Sequence, residues 1–163
     1  MAADPWTQPH TLPNLTPKEG ILDAINRITW GLDLHDRALF KSAFSTQGTP
    51  KLHFPFRQLD LSGRDEISTK FFNGVKYHET DHQISNVRIS YEAGRKEARV
   101  WAMGQNQHHN KGEALKTRVE GRMTGARYVF DVVEDSDEVW RVMEWWVEIT
   151  WEGGDPSVVG KVE

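Results

Sequence analysis

The sequence predicts an α+β domain in which a curved antiparallel sheet wraps around N-terminal helices as a cone with a natural internal pocket. Three observations carry this. A helix-start signature at Thr16-Pro17-Lys18-Glu19 opens an apolar stripe of helical period, the period changes to two from His82 onward, and short polar turns join the later segments. Helices followed by consecutive hairpin-linked strands bury their apolar faces by laying the sheet over the helices.

Residues 1–15 read as an irregular arm broken by Pro5, Pro9 and Pro13. The first helix begins with a capping residue, Thr16, proline at the first helical position and Glu19 three residues on. Ile21, Ile25, Ile28 and Leu32 then form one stripe, with Asp33 at its edge near Leu22, Asn26 and Thr29. Asp36 is expected to cap a second short helix containing Leu39, Phe40, Ala43 and Phe44, and a short extended piece follows around Leu52-His53-Phe54. A third helix is expected after Ser62, which with Asp65 makes a weaker capping box, carrying Ile67, Phe71 and Phe72 inward and stopping at Gly74.

Strands are expected at 82–91, 97–108, 115–134 and 139–151, joined by turns such as Glu92-Ala93-Gly94-Arg95 and Glu134-Asp135-Ser136-Asp137. Val87 and Ile89 have the opposite parity to His82 and Ile84, which suggests a bulge near Ser85. In the last strand Val139, Met143, Trp145, Val147, Ile149 and Trp151 share one parity, while Trp140, Val142 and Trp146 lie on the other. Apolar bulk on both faces leads us to expect a homo-oligomer, a dimer or trimer. Residues 16–151 read as a single domain, and 152–163 as a tail that either folds over a pocket mouth or stays loose.

Composition narrows the function. The chain has 163 residues, 37% of them hydrophobic, enough for one domain with a real core. A formal net charge of -4, without a dense Lys/Arg run, argues against nucleic acid or an anionic membrane surface as partner. There is no cysteine, which removes disulfides, thiolate chemistry and cysteine-based zinc sites and fits an intracellular protein. The N-terminal residues lack the apolar centre of a secretory signal, and no stretch is long and apolar enough to span a bilayer. A cytoplasmic protein acting on a small molecule is the expectation.

Asp33, His82 and His108 are the candidate catalytic residues. A carboxylate beside an imidazole fixes the ring's tautomer and makes it a proton shuttle near neutral pH. Asp33 falls in the last turn of its helix, where the helix dipole disfavours a negative charge by roughly 0.3 to 1 kcal/mol, so another partner should favour it. The plainer reading is a helix-end carboxylate facing water. His82 opens a strand, where a lone histidine is more often structural. His108 shares parity with Ala98, Val100, Ala102 and Asn106, a row of small side chains that leaves room for a ligand, although His108-His109-Asn110-Lys111-Gly112 also reads as a polar turn.

Trp30, Phe54 and Trp145, with Trp101 and Trp146, are candidates to line a pocket for a flat or polycyclic ligand, as are His53 and Asn106; aromatics also serve core and interface. Two histidines and a carboxylate could instead form a facial metal triad, but the tight H-x-D or H-E-x-x-H spacing is missing, so no metal or cofactor is expected. There is no G-x-S-x-G elbow or glycine-rich phosphate loop to support a hydrolase or nucleotide-binding reading.

The stretch from Ile28 to Asp36, followed by Leu39-Phe40 and Phe44, resembles the first-helix signature of SnoaL-like proteins of the nuclear transport factor two-like superfamily. Ser62 to Ile67 resembles their third-helix start, Thr80-Asp81-His82-Gln83-Ile84-Ser85-Asn86 their T-x-H-x-x-x-N strand, and Gly125 to Val133 with Val139 to Val142 their closing hairpin. Within that superfamily the pattern is most similar to scytalone dehydratase-like enzymes, whose catalytic Asp and His fall on Asp33 and His82 and whose second His falls best on His108. The resemblance implies a cone-shaped α+β fold and acid-base catalysis without a cofactor. Leu32 and Phe54 stand where those dehydratases carry tyrosines, which argues against scytalone itself as substrate. The implied activity is a dehydratase, isomerase or cyclase of secondary metabolism. The competing class is a non-catalytic ligand-binding or protein-interaction module, favoured by a filled core or a histidine facing solvent.

Overall fold

A computed structural model describes residues 4–158. Helix α1 spans Pro17–Asp33, and both halves of the capping box at its start are formed: Glu19 N–H donates to Thr16 Oγ1, and Thr16 N–H donates to the Glu19 carboxylate at 2.7 Å. Asp36 caps α2, Arg37–Ser42, accepting from the amides of Ala38 and Leu39. Between these helices Gly31 lies so close to Phe40 that a Cβ there would sit 2.5 Å from the Phe40 backbone nitrogen. Glycine is what allows the two helices to touch.

The chain continues through β1 (Lys51–Phe54), a single 3-10 turn (Pro55–Arg57) and β2 (Leu59–Ser62), then α3 (Arg64–Glu66), which widens into a π-turn over Ile67–Phe71. The expected capping box at Ser62 is absent because Ser62 ends β2; Gly63, at φ 99°, precedes the helix, and the Glu66 side chain accepts from the Ser62 amide. The four long strands are β3 (His78–Tyr91), β4 (Glu97–Asn110), β5 (Arg122–Glu134) and β6 (Trp140–Gly154). The third of these starts at Arg122, later than the expected 115, since residues 111–121 form turns and loop. Glu79 holds that loop by accepting from the amides of Gly112 and Ala114.

The six strands form one sheet in the order β2-β1-β6-β5-β4-β3. Every neighbouring pair is antiparallel except β1 and β6, which run parallel, so the expected antiparallel sheet carries one parallel pairing. The sheet closes over a core in which Ile21, Ile25, Ile28 and Leu32 of α1 are at most 2% exposed and meet Phe40, Phe44, Val100, Phe130 and Val132. Burying each such side chain stabilises the fold by about 1.5 to 3 kcal/mol.

Register shifts re-aim the side chains. One falls between Ser85 and Arg88, where Asn86 takes φ 51°; His82 and Ile84 turn partly inward before it, Val87 and Ile89 after it. In β6, Asp131 pairs with Glu144 while Val132 pairs with Val142, leaving Met143 as the extra residue. Trp140, Val142, Trp145 and Val147 are therefore all buried, although strict alternation puts the first two on the opposite face to the others. The outer apolar surface shrinks accordingly, to Trp101, Met103 and Trp151 with half-buried Trp146.

Candidate active site

The end of α1 meets the start of β3. Asp33 Oδ1 accepts from the Thr80 hydroxyl at 2.8 Å and from His82 Nδ1 at 2.5 Å, and Oδ2 accepts from the His82 amide at 2.9 Å. These three donors answer the unfavourable helix-end position. Burial alone would raise the Asp33 carboxyl, but the His82 ring and amide and the Thr80 hydroxyl together hold it below the ordinary carboxylate value. With Nδ1 committed to Asp33, the imidazole has Nε2 left for other chemistry, and its side chain is only 10% exposed.

His82 lines a cavity of about 100 Å³ inside the cone. Across from it stands His108 of β4, ring centroids 5.2 Å apart and planes nearly perpendicular. Burial, reinforced by the positive potential of His82, His78 and Arg122, pushes the His108 imidazole down to about 3. His108 is thus a neutral ring at physiological pH, able to give or accept a hydrogen bond without carrying charge. Its neighbour His109 lies outside this cavity, and Gly121 fits against its ring.

Deeper in, the Asn106 amide reaches the Tyr128 hydroxyl at 3.0 Å and Thr124 Oγ1 at 3.3 Å. Burial pushes Tyr128 up to about 12, so its hydroxyl stays protonated. Gly104 makes room for that ring: a Cβ there would fall 2.3 Å from Tyr128 Cε2. The apolar wall is aromatic, with Trp145 stacked on Phe130 at 5.6 Å and edge-on to Phe71 at 5.3 Å, and Phe54 alongside Phe71. Val158, the last described residue, is buried and also lines the cavity.

Of the residues singled out from sequence, Asp33, His82 and His108 come together, and Phe54, Asn106 and Trp145 line the same space. Trp30 and His53 do not. Trp30 is 43% exposed on the solvent side of α1. His53 points away from the cavity, clasped between Asp60 (2.7 Å) and Glu144 (2.9 Å) and stacked on Trp146. Trp101 and Trp146 are likewise off the cavity. In each case strand parity or helix face overrode the aromatic character.

Sequence reasoning missed Tyr128, Thr124, Arg122 and Arg57 in the lining and Thr80 as an Asp33 donor. The signal for the first three was the parity of Arg122, Thr124, Ala126, Tyr128, Phe130 and Val132, legible once β5 is begun at Arg122. Thr80 shares parity with His82. Among the described residues, no group of three or more His, Asp or Glu side chains is gathered in a form that could hold a metal ion.

Comparison with known proteins agrees with this fold. A family model described as a SnoaL-like domain matches residues 13–145. The chain is 29% identical over 150 residues to terrestric acid biosynthesis cluster protein E of Penicillium crustosum, covering 91% of this chain and 93% of that protein. Similar solved structures include a scytalone dehydratase, described as putative, from Novosphingobium aromaticivorans (19% identity, 83% of this chain and 85% of that one, TM-score 0.68). A type 2 hexachlorocyclohexane dehydrochlorinase, LinA, is 14% identical over 86% of this chain and 90% of that one, TM-score 0.68. A nuclear transport factor 2-like superfamily protein from Salmonella enterica serovar Typhimurium is 15% identical over 81% and 89%, TM-score 0.67. At these identities the solved structures speak for the fold.

Proposed function

This chain belongs to the SnoaL-like domain family, and from that premise we propose that it is a cofactor-independent acid-base enzyme, a dehydratase or an isomerase or cyclase, acting on a cyclic polyketide, terpenoid or related secondary metabolite. The observation that carries the reading is the 2.5 Å contact between Asp33 and His82 Nδ1 at the wall of an aromatic-lined cavity. The relatives support it in kind: one similar protein is named for a biosynthesis cluster, and two similar folds are named as a dehydratase and a dehydrochlorinase, both elimination catalysts.

In the dehydratase form, His82 Nε2 removes a proton from a carbon next to a carbonyl, while Asp33 holds the ring and balances the imidazolium that forms. The proton then goes to the departing hydroxyl, which leaves as water. Neutral His108 donates a hydrogen bond to the carbonyl oxygen as charge develops on it. An isomerase or cyclase would use the same pair and return the proton to carbon. The apolar outer face at Trp101, Met103 and Trp151 supports a homo-oligomer. Among the described residues no helix is long and apolar enough to cross a membrane.

The test is comparative metabolite profiling with the gene present and deleted, followed by assay of the accumulated compound with purified protein. Conversion by the wild type and loss of about 10²- to 10⁴-fold in rate for a folded Asp33→Asn variant is the expected result. Undiminished turnover by Asp33→Asn would refute the mechanism.

A further inference from the structure

Two arginines line the cavity together with His82, and the acid-base chemistry uses neither. Arg122 is the cross-strand partner of His108, its side chain is 9% exposed, and it pairs with the half-exposed Glu152. Arg57, on the 3-10 turn after β1, is partly buried at the same cavity, and among the described residues no carboxylate pairs with it and no hydrogen bond occupies it. The two cations and Glu152 leave this end of the cavity with one positive charge in surplus. Each guanidinium is a rigid planar fork suited to a carboxylate, and partly buried Arg57 has no carboxylate within salt-bridge reach among the described residues.

We propose that Arg57 and Arg122 form a carboxylate subsite, so that the substrate is a carboxylic acid held by its acid group at this end with its reacting carbon toward His82. The inference rests on the cavity being a substrate site, as proposed above. His108 stands beside both parts: 5.2 Å from His82 by ring centroid, and paired in register with Arg122. A carboxylate here would complete the arginine pair as Glu152 alone does not. Burial and the repulsion of Arg122 also lower the Arg57 guanidinium from its ordinary value, Glu152 offsetting only part of this, and an added anion would relieve that repulsion further.

The experiment is calorimetric titration of the full chain with benzoate and with its neutral counterpart benzamide. Benzoate should bind the wild type about 10- to 100-fold more tightly, the range expected for hydrogen bonds to a charged group. Arg57→Gln should erase the preference, weakening benzoate about 10- to 100-fold more than benzamide, whereas a merely structural role would weaken both probes alike. Glu152→Gln, which frees Arg122, should strengthen benzoate binding. Equal binding of the two probes, binding of neither, an acid preference that survives Arg57→Gln, or weaker benzoate binding by Glu152→Gln would overturn the subsite. Because the readout is binding, His82→Ala should keep the acid preference; failure of the proton-relay mechanism and failure of the carboxylate subsite therefore show up in different measurements.

Discussion

Replacing His108 by asparagine should remove a specific acid sensitivity from the fold. An unfolded histidine titrates near 6.5, while the buried ring in the cavity sits at about 3. Between those values the unfolded chain binds a proton that the folded one refuses, so stability is unaffected above about pH 6.5 and declines as the pH falls from there toward 3. At pH 5 the single-site linkage gives a loss of about 2 kcal/mol, equivalent to about 4 to 8 °C in melting temperature for a chain of this size. The assay is denaturant unfolding of wild type and His108→Asn at pH 7 and pH 5. The asparagine variant is expected to be less stable at pH 7 through lost packing, but its further loss at pH 5 should be smaller than that of the wild type by about 2 kcal/mol. An identical pH dependence in the two proteins, or a His108 ring resonance that titrates near 6.5 in the folded state, would refute the argument that this ring is kept neutral.

Other perturbations test the packing that shapes the site. Gly31→Ala drives a methyl group into the Phe40 backbone and should destabilise by about 1 to 3 kcal/mol in denaturant melts, with the α1–α2 contact loosened. Gly104→Ala meets the Tyr128 ring and should displace it; loss of turnover exceeding the loss of stability is expected, and a crystal structure should show the Tyr128 hydroxyl moved off Asn106. Thr80→Val removes one donor to Asp33 and, as a partly buried hydrogen bond to a charged group, should cost about 1.5 kcal/mol in stability with the Asp33 carboxyl titrating at a higher pH by NMR.

The helical half was legible where capping chemistry and stripe agreed: Thr16, Glu19 and Asp36 each perform the capping role their position implies, and the stripe from Ile21 to Leu32 is the buried one. The Asp33–His82 meeting was legible for a different reason. A carboxylate at a helix end, against the dipole, needs a donor, and the His82 ring was the one expected; the Thr80 hydroxyl and the His82 amide add two more that the sequence reading did not name. What failed was parity beyond irregularities. Met143 as an extra residue hid that Trp140 and Trp145 are both buried, and a misplaced start for β5 hid Arg122, Thr124 and Tyr128. β2 was not anticipated, because Leu59–Ser62 is too short to show a period of two; it also supplied the residue taken for a helix cap. Trp30 was misassigned although it lies off the buried stripe of α1, and His53 for want of a partner: nothing local in the sequence shows that Asp60 and Glu144 flank it from the outer side.

The account turns on His82 as the base that takes a proton from carbon. Its most direct test is the single-turnover rate of the wild type and of His82→Ala on the accumulated metabolite, with hydrogen or deuterium at the carbon next to the carbonyl. The account predicts a primary isotope effect in the wild type and a rate about 10²- to 10⁴-fold lower in His82→Ala. A folded His82→Ala protein that turns over as fast as the wild type would contradict it.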